Sequence, residues 1–334
     1  MKITHGGDLF AVARAHGWDW REALDLSASI NPLGPSPKVR AAVEAALDRI
    51  PHYPETEPVQ LRAELARLWA VGPENILLGN GATDLLHFYA REARHKKTTL
   101  TVPTFSEFHR AYPDAEHVSW GDPIGWPDDG LLVITQPNSP TGECMGHQEL
   151  TAMAVSRSGA LLIDESFIDF TTEPSAVKLA KLRDNVLVLR SLTKFYALPG
   201  LRIGALIGSK ATIDRLRPRR EPWTVNVLAE AGARAAVADH AHAELARSLV
   251  AAERERLLGE LNELPLMIPS PSSANFVTLW TSVPAERLRE ALLEHKILIR
   301  VLTGTPGIEG EAVRVAIRTP AENTRFLDAL RSIL

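Results

Sequence analysis

The chain has one cysteine, Cys144, in 334 residues, which excludes an intrachain disulfide and any cysteine-rich metal site. No apolar run approaches the roughly 20 residues that a membrane-spanning helix needs. The opening Met1-Lys2-Ile3-Thr4-His5-Gly6-Gly7 turns polar at once, unlike a signal peptide. A net charge of −4 and a pI near 6.3 leave no electrostatic footprint for nucleic acid or an acidic membrane. The short basic cluster Arg215, Arg217, Arg219 and Arg220 reads as a solvated helix end. No GxGxxG occurs, which argues against a dinucleotide site of the usual kind. These absences predict a cytoplasmic protein with no metal site and no nucleic-acid or membrane partner.

What is present is an ordinary globular composition, 45% hydrophobic and 23% charged, with length for about two domains. Apolar residues recur at helical spacing over 38–50, 58–70, 82–94 and 147–157. Short continuous apolar runs alternate with them at 76–78, 98–102, 131–135, 160–163, 186–189 and 203–207. That alternation predicts an α/β fold, a mostly parallel sheet covered on both faces. After about Pro222 the pattern changes to helices 226–238 and 241–262, then mixed segments to 333, a smaller α+β unit. The expected division is an N-terminal arm (1–37) lying with the small domain, a large domain (38–222), and an interdomain helix with the small domain (223–334).

Polar residues fall at the carboxyl ends of the predicted strands, where ligands of open α/β sheets sit. After run 186–189, Ser191, Thr193 and Lys194 are followed by Arg202. A neutral lysine amine forms a Schiff base with a carbonyl, while hydroxyls and a guanidinium suit a phosphate dianion. Pyridoxal phosphate carries both groups. Gly79-Asn80-Gly81-Ala82-Thr83-Asp84 joins a strand to a helix and offers free N–H groups and the Thr83 hydroxyl to an anion; such a turn also commonly just starts a helix. Gln136-Pro137-Asn138-Ser139-Pro140-Thr141-Gly142 is a turn by composition. Asp164 follows three apolar residues, so its carboxylate needs a partner. A protonated pyridine nitrogen would be one, and a helix N-cap role is the plain alternative.

The series GNGATD, PTFSEF, QPNSPTG, DESFIDF and SLTKFYALPGLRIG, in that order and spacing, resembles the fold-type I pyridoxal phosphate enzymes of the class I/II aminotransferase superfamily. HGGDL, LDLSASINPLGPSP and the phenylalanine of DESF resemble its threonine-phosphate decarboxylase branch, related to histidinol-phosphate aminotransferases. The resemblance covers nearly the whole chain. It implies that Lys194 carries the cofactor and then acts as general acid and base, that Asp164 pairs with the pyridine nitrogen, and that Phe105 stacks on the ring. Gly81, Ala82, Thr83, Ser191, Thr193 and Arg202 would hold the cofactor phosphate, with Tyr53 reaching it from a second subunit of a homodimer. Relatives usually carry asparagine where Ser139 stands, donating to the pyridine 3-oxygen, so either Asn138 or Ser139 would serve. Phe167 replaces the tyrosine that shares this contact in aminotransferases.

For the substrate, a small phosphorylated amino acid, the resemblance implies that Arg314 clamps the α-carboxylate and that Arg300 shares the anion. His5, Gly6 and Asn31 would cover the substrate phosphate, and Arg318 is a further strand-end candidate. The implied reaction is decarboxylation of L-threonine O-3-phosphate in cobalamin biosynthesis. Two alternatives stand beside it: a histidinol-phosphate or related aminotransferase using the same residues, and a cofactor-binding partner protein without chemistry.

Overall fold

A computed structural model of the chain describes residues 6–334. Its strands are β1 (Leu24–Asp25), β2 (Ile76–Gly79), β3 (Thr98–Val102), β4 (Glu116–Ser119), β5 (Leu131–Thr135), β6 (Ala160–Asp164) and β7 (Val186–Ser191) in the first half. There follow β8 (Gly204–Ile207), β9 (Met267–Pro269), β10 (Phe276–Thr281), β11 (Ile297–Leu298), β12 (Arg300–Val301) and β13 (Ala312–Ala316).

Seven strands form one sheet in the order β2-β8-β7-β6-β5-β3-β4. Only β8 runs antiparallel to its neighbours. Every residue of β5 and β7 is buried, because helices cover both faces, and this is why those strands are continuous apolar runs rather than alternating ones. β4 is the strand the sequence conceals: it lies at the sheet edge, mostly exposed, and reads Glu116-His117-Val118-Ser119.

A second sheet, β12-β13-β10-β9, is antiparallel throughout. β1 pairs in parallel with β11, Leu24 opposite Ile297, so the N-terminal segment is stitched beside this smaller sheet. The helix Val227–Val237 packs Ala229, Ala233 and Ala236 into the same apolar cluster as Leu61 and Leu65. The core of the large sheet therefore reaches past the expected boundary at 222. The basic cluster also departs from expectation. Arg220 is buried against Asp84, 2.5 Å away, and Arg217 is largely buried beside Glu57, because the short turn after helix Lys210–Leu216 folds back onto the large unit.

Candidate active site

The carboxyl ends of β5, β6 and β7 open into a cleft of about 750 Å3, lined also by the N-terminal segment and the small sheet. β7 ends at Ser191, whose hydroxyl lies 2.7 Å from that of Thr193. Lys194 follows in the turn and donates from Nζ to the Ser191 hydroxyl at 3.4 Å. Burial pushes the Lys194 amine down to about 8, with Arg314 and Arg202 acting in the same direction and Asp164 opposing. A neutral fraction near neutral pH far above that of an exposed lysine suits a nucleophile or a proton carrier.

Asp164 ends β6 and lines the cleft. Its Oδ1 accepts from the Ser166 backbone N–H at 2.9 Å and from the Ser166 hydroxyl at 2.5 Å. Burial raises its carboxyl above the usual range, opposed by Lys194 and by the Ser166 bonds. Sequence reading missed Ser166, although Asp-x-Ser is the spacing of an aspartate that bonds its own backbone two residues on.

The anion cradle is built by close approach. Gly81 has φ +90, and a Cβ there would lie 2.5 Å from Arg202 Nη2, so glycine is required on both counts. Arg202 itself has φ 61, uncommon for a residue with a side chain. A Cβ at Gly204, the first residue of β8, would meet the Ala82 nitrogen at 2.5 Å. The guanidinium of Arg202 is thereby set beside the start of helix Ala82–Glu92, where unpaired N–H groups and the helix dipole favour an anion. Asp84, in the first turn, accepts from the Asn80 N–H at 2.8 Å and pairs with Arg220. Phe105 lines the cleft after β3, and Phe167 lies under Lys194, its ring centroid 5.1 Å from Nζ.

On the small-sheet side, Arg300 and Arg314 lie directly opposite each other across β12 and β13, an arrangement in which like charges repel. No acidic side chain among the described residues pairs with either. Arg314 donates to the Ser139 hydroxyl at 3.3 Å and to the Ser27 carbonyl at 3.4 Å, and its Nε has no acceptor. Burial, then Arg300, holds its basicity well below the ordinary value. A guanidinium keeps its proton, so a buried charge stands here without an acidic partner among the described residues.

The remaining candidates divide by placement. Gly6 lines the cleft, whereas His5 lies outside the described residues. Ser139 lines it too, but Asn138 is 0% exposed. Its amide is spent on the Pro103 carbonyl and Thr135 hydroxyl, and its carbonyl on Thr141. Asn31 likewise turns away from the cleft, donating to the Phe195 carbonyl at 2.8 Å while its backbone N–H meets the Lys194 carbonyl at 3.0 Å. Arg318 is engaged with Glu322 and the Ile30 carbonyl. Tyr53 is 82% exposed and stacks on Trp223 at 4.8 Å, outside its own chain's cleft. Among the described residues no cluster could hold a metal ion and no helix is long and apolar enough to cross a membrane.

An amine, a buried carboxylate, an aromatic face and a phosphate-sized cradle thus fit a cofactor with an aldehyde, a ring nitrogen and a phosphate. Comparison with known proteins bears on the same point. The chain is 36% identical to the threonine-phosphate decarboxylase of Salmonella typhimurium over 99% of its own length and 96% of that protein's. The solved L-threonine-O-3-phosphate decarboxylase of Porphyromonas gingivalis superposes with a TM-score of 0.85 at 26% identity, covering 92% of this chain and 98% of the other. The histidinol-phosphate aminotransferase of Clostridium acetobutylicum does so with 0.86 at 26%, covering 93% and 98%. Residues 124–330 match the family model described as aminotransferase class I and II, and the chain belongs to that family.

Proposed function

We propose that the protein is a pyridoxal-phosphate-dependent carboxy-lyase that converts L-threonine O-3-phosphate to (R)-1-amino-2-propanol O-2-phosphate in cobalamin biosynthesis. The observation that carries this reading is one cleft holding an amine of depressed basicity, a buried carboxylate and two arginines without acidic partners. The full-length similarity to a threonine-phosphate decarboxylase supports the substrate.

Bound pyridoxal phosphate supplies an electron sink for the pair released when a bond at the substrate Cα breaks. Lys194 would hold the cofactor covalently, Asp164 would pair with its ring nitrogen, and Phe105 would lie against its ring. Gly81, Ala82, Thr83, Ser191, Thr193 and Arg202 would take its phosphate. Arg314 binds the α-carboxylate, Arg300 shares that anion, and Gly6 covers the substrate phosphate. Anchoring both anions decides which bond at Cα is aligned for cleavage, so binding energy is spent on selecting the reaction. Lys194, with basicity near 8, then delivers a proton to Cα in place of the lost carboxyl group.

A homodimer belongs to the proposal, because Tyr53 contributes to a cleft only from a second copy. Exposed Leu47 and Ile50 near Tyr53, with Trp223 stacked on it, support such a contact. A cytoplasmic location fits a free phosphorylated amino acid as substrate.

The test combines purified protein, pyridoxal phosphate and L-threonine O-3-phosphate, following carbon dioxide release and pyridoxamine phosphate formation together. Stoichiometric carbon dioxide with little pyridoxamine phosphate is the expected result. Pyridoxamine phosphate without carbon dioxide would establish the second reading, an aminotransferase, which the equally close fold of a histidinol-phosphate aminotransferase favours.

A further inference from the structure

The turn Ser139-Pro140 meets the small sheet at a single register position. Arg314 of β13 lies opposite Thr278 of β10. Arg314 Nη1 donates to the Ser139 hydroxyl at 3.3 Å, and the Thr278 hydroxyl donates to the Pro140 carbonyl at 2.7 Å. Consecutive turn residues thus grip a cross-strand pair. Ser139 is fixed from the other side as well, its backbone N–H meeting the Thr135 hydroxyl at the end of β5 at 3.2 Å.

Among the described residues no ion pair orients Arg314. Beside the Ser139 bond it has the long bond to the Ser27 carbonyl and the face of Phe276, 4.7 Å from the guanidinium carbon. The Ser139 hydroxyl is the one side-chain oxygen that the guanidinium meets among the described residues. It leaves the arginine charge uncompensated, where a carboxylate would neutralise it.

We propose that Ser139 is a positioning residue that sets the plane of the Arg314 guanidinium and, through it, which Cα bond of the substrate is aligned for cleavage. This rests on the carboxy-lyase reading of the same cleft. Decarboxylation breaks the Cα–carboxyl bond, releases carbon dioxide and adds a proton at Cα. The competing transamination removes the Cα proton and leaves the amino group on the cofactor, with a keto product after hydrolysis.

The experiment uses the holoenzyme as S139A, which removes the hydroxyl, and S139T, which keeps it. Losing a hydrogen bond to a charged group corresponds to roughly tenfold or more. S139A is therefore expected to raise KM for L-threonine O-3-phosphate and to shift the ratio of pyridoxamine phosphate to carbon dioxide by about that factor. S139T, which keeps the hydroxyl, should restore the ratio. An unchanged ratio in a folded S139A enzyme overturns the inference. So does a loss of cofactor affinity with the ratio preserved, which would make Ser139 a cofactor ligand only. If the wild-type enzyme itself releases no carbon dioxide, the carboxy-lyase reading fails instead.

Discussion

Arg190 and Arg314 are almost equally buried, at 3% and 5% exposure, yet their surroundings are opposite. Arg190 precedes Ser191 on β7 and pairs with Asp169 at 2.6 Å and Glu165 at 3.4 Å, with the Trp69 ring 5.0 Å away. Glu165 also accepts from the Ala176 N–H at 2.6 Å and from the Ser175 hydroxyl. Every charge there has a partner. Around Arg314 the neighbours are another arginine, a hydroxyl, a carbonyl and a ring. The first cluster ties the ends of β6 and β7 together and so fixes the spacing of Asp164 and Ser191. The second has no acidic partner among the described residues. A buried charge costs several kcal/mol unless it is compensated, so a complete set of partners marks a structural charge, and an incomplete one suits the anion-binding role proposed for Arg314.

Substitutions sharpen that contrast. K194A should abolish turnover by roughly a thousandfold or more and remove the absorbance of covalently held cofactor; calorimetry should show a folded protein with no gain in stability, since the buried Asp164 carboxylate loses the opposite charge beside it. R190M should cost about 3–5 kcal/mol of stability in urea titrations, because Glu165 and Asp169 lose their partner. R314M should do the reverse. Its kcat/KM should fall by about 10- to 150-fold through the loss of a charged contact of about 1.5–3 kcal/mol, while its thermal midpoint holds or rises. A large drop in the R314M midpoint would erase the distinction.

A smaller effect concerns pH. The neutral amine is the nucleophile, and Lys194 sits near 8 rather than at 10.5. Capture of pyridoxal phosphate by the apoprotein should therefore accelerate about tenfold per unit below pH 8 and level off above it. Stopped-flow absorbance distinguishes this from a rise continuing towards 10.5, the behaviour of an exposed lysine.

Much of this was legible in order along the chain. β5, β6 and β7 announced themselves because burial on both faces demands continuous apolar residues, and Asp164, Ser191 and Lys194 stood out as polar residues ending those runs. β4 escaped because an edge strand is free to be polar. Helix Ser106–Ala111 was hidden by its brevity, a run of six residues giving too little periodicity to read.

Neighbouring polar residues were where sequence order ran out. Asn138 and Ser139 are adjacent, yet one is consumed inside its turn and the other faces the cleft. Arg314 and Arg318 stand four residues apart at the end of one predicted strand, yet of the two only Arg318 has an acidic partner among the described residues. Arg220 looked solvated until the fold placed Asp84 beside it. The sequence by itself determined the layered α/β architecture, the polar residues that end the buried strands, Asp164 and Lys194 among them, and the glycines that a close-packed cradle needs. Those follow from periodicity and local backbone demands. Tertiary structure alone decided which arginines lack an acidic partner among the described residues and which turn residue faces the cleft, since pairing depends on residues 25 to 287 positions apart in the chain.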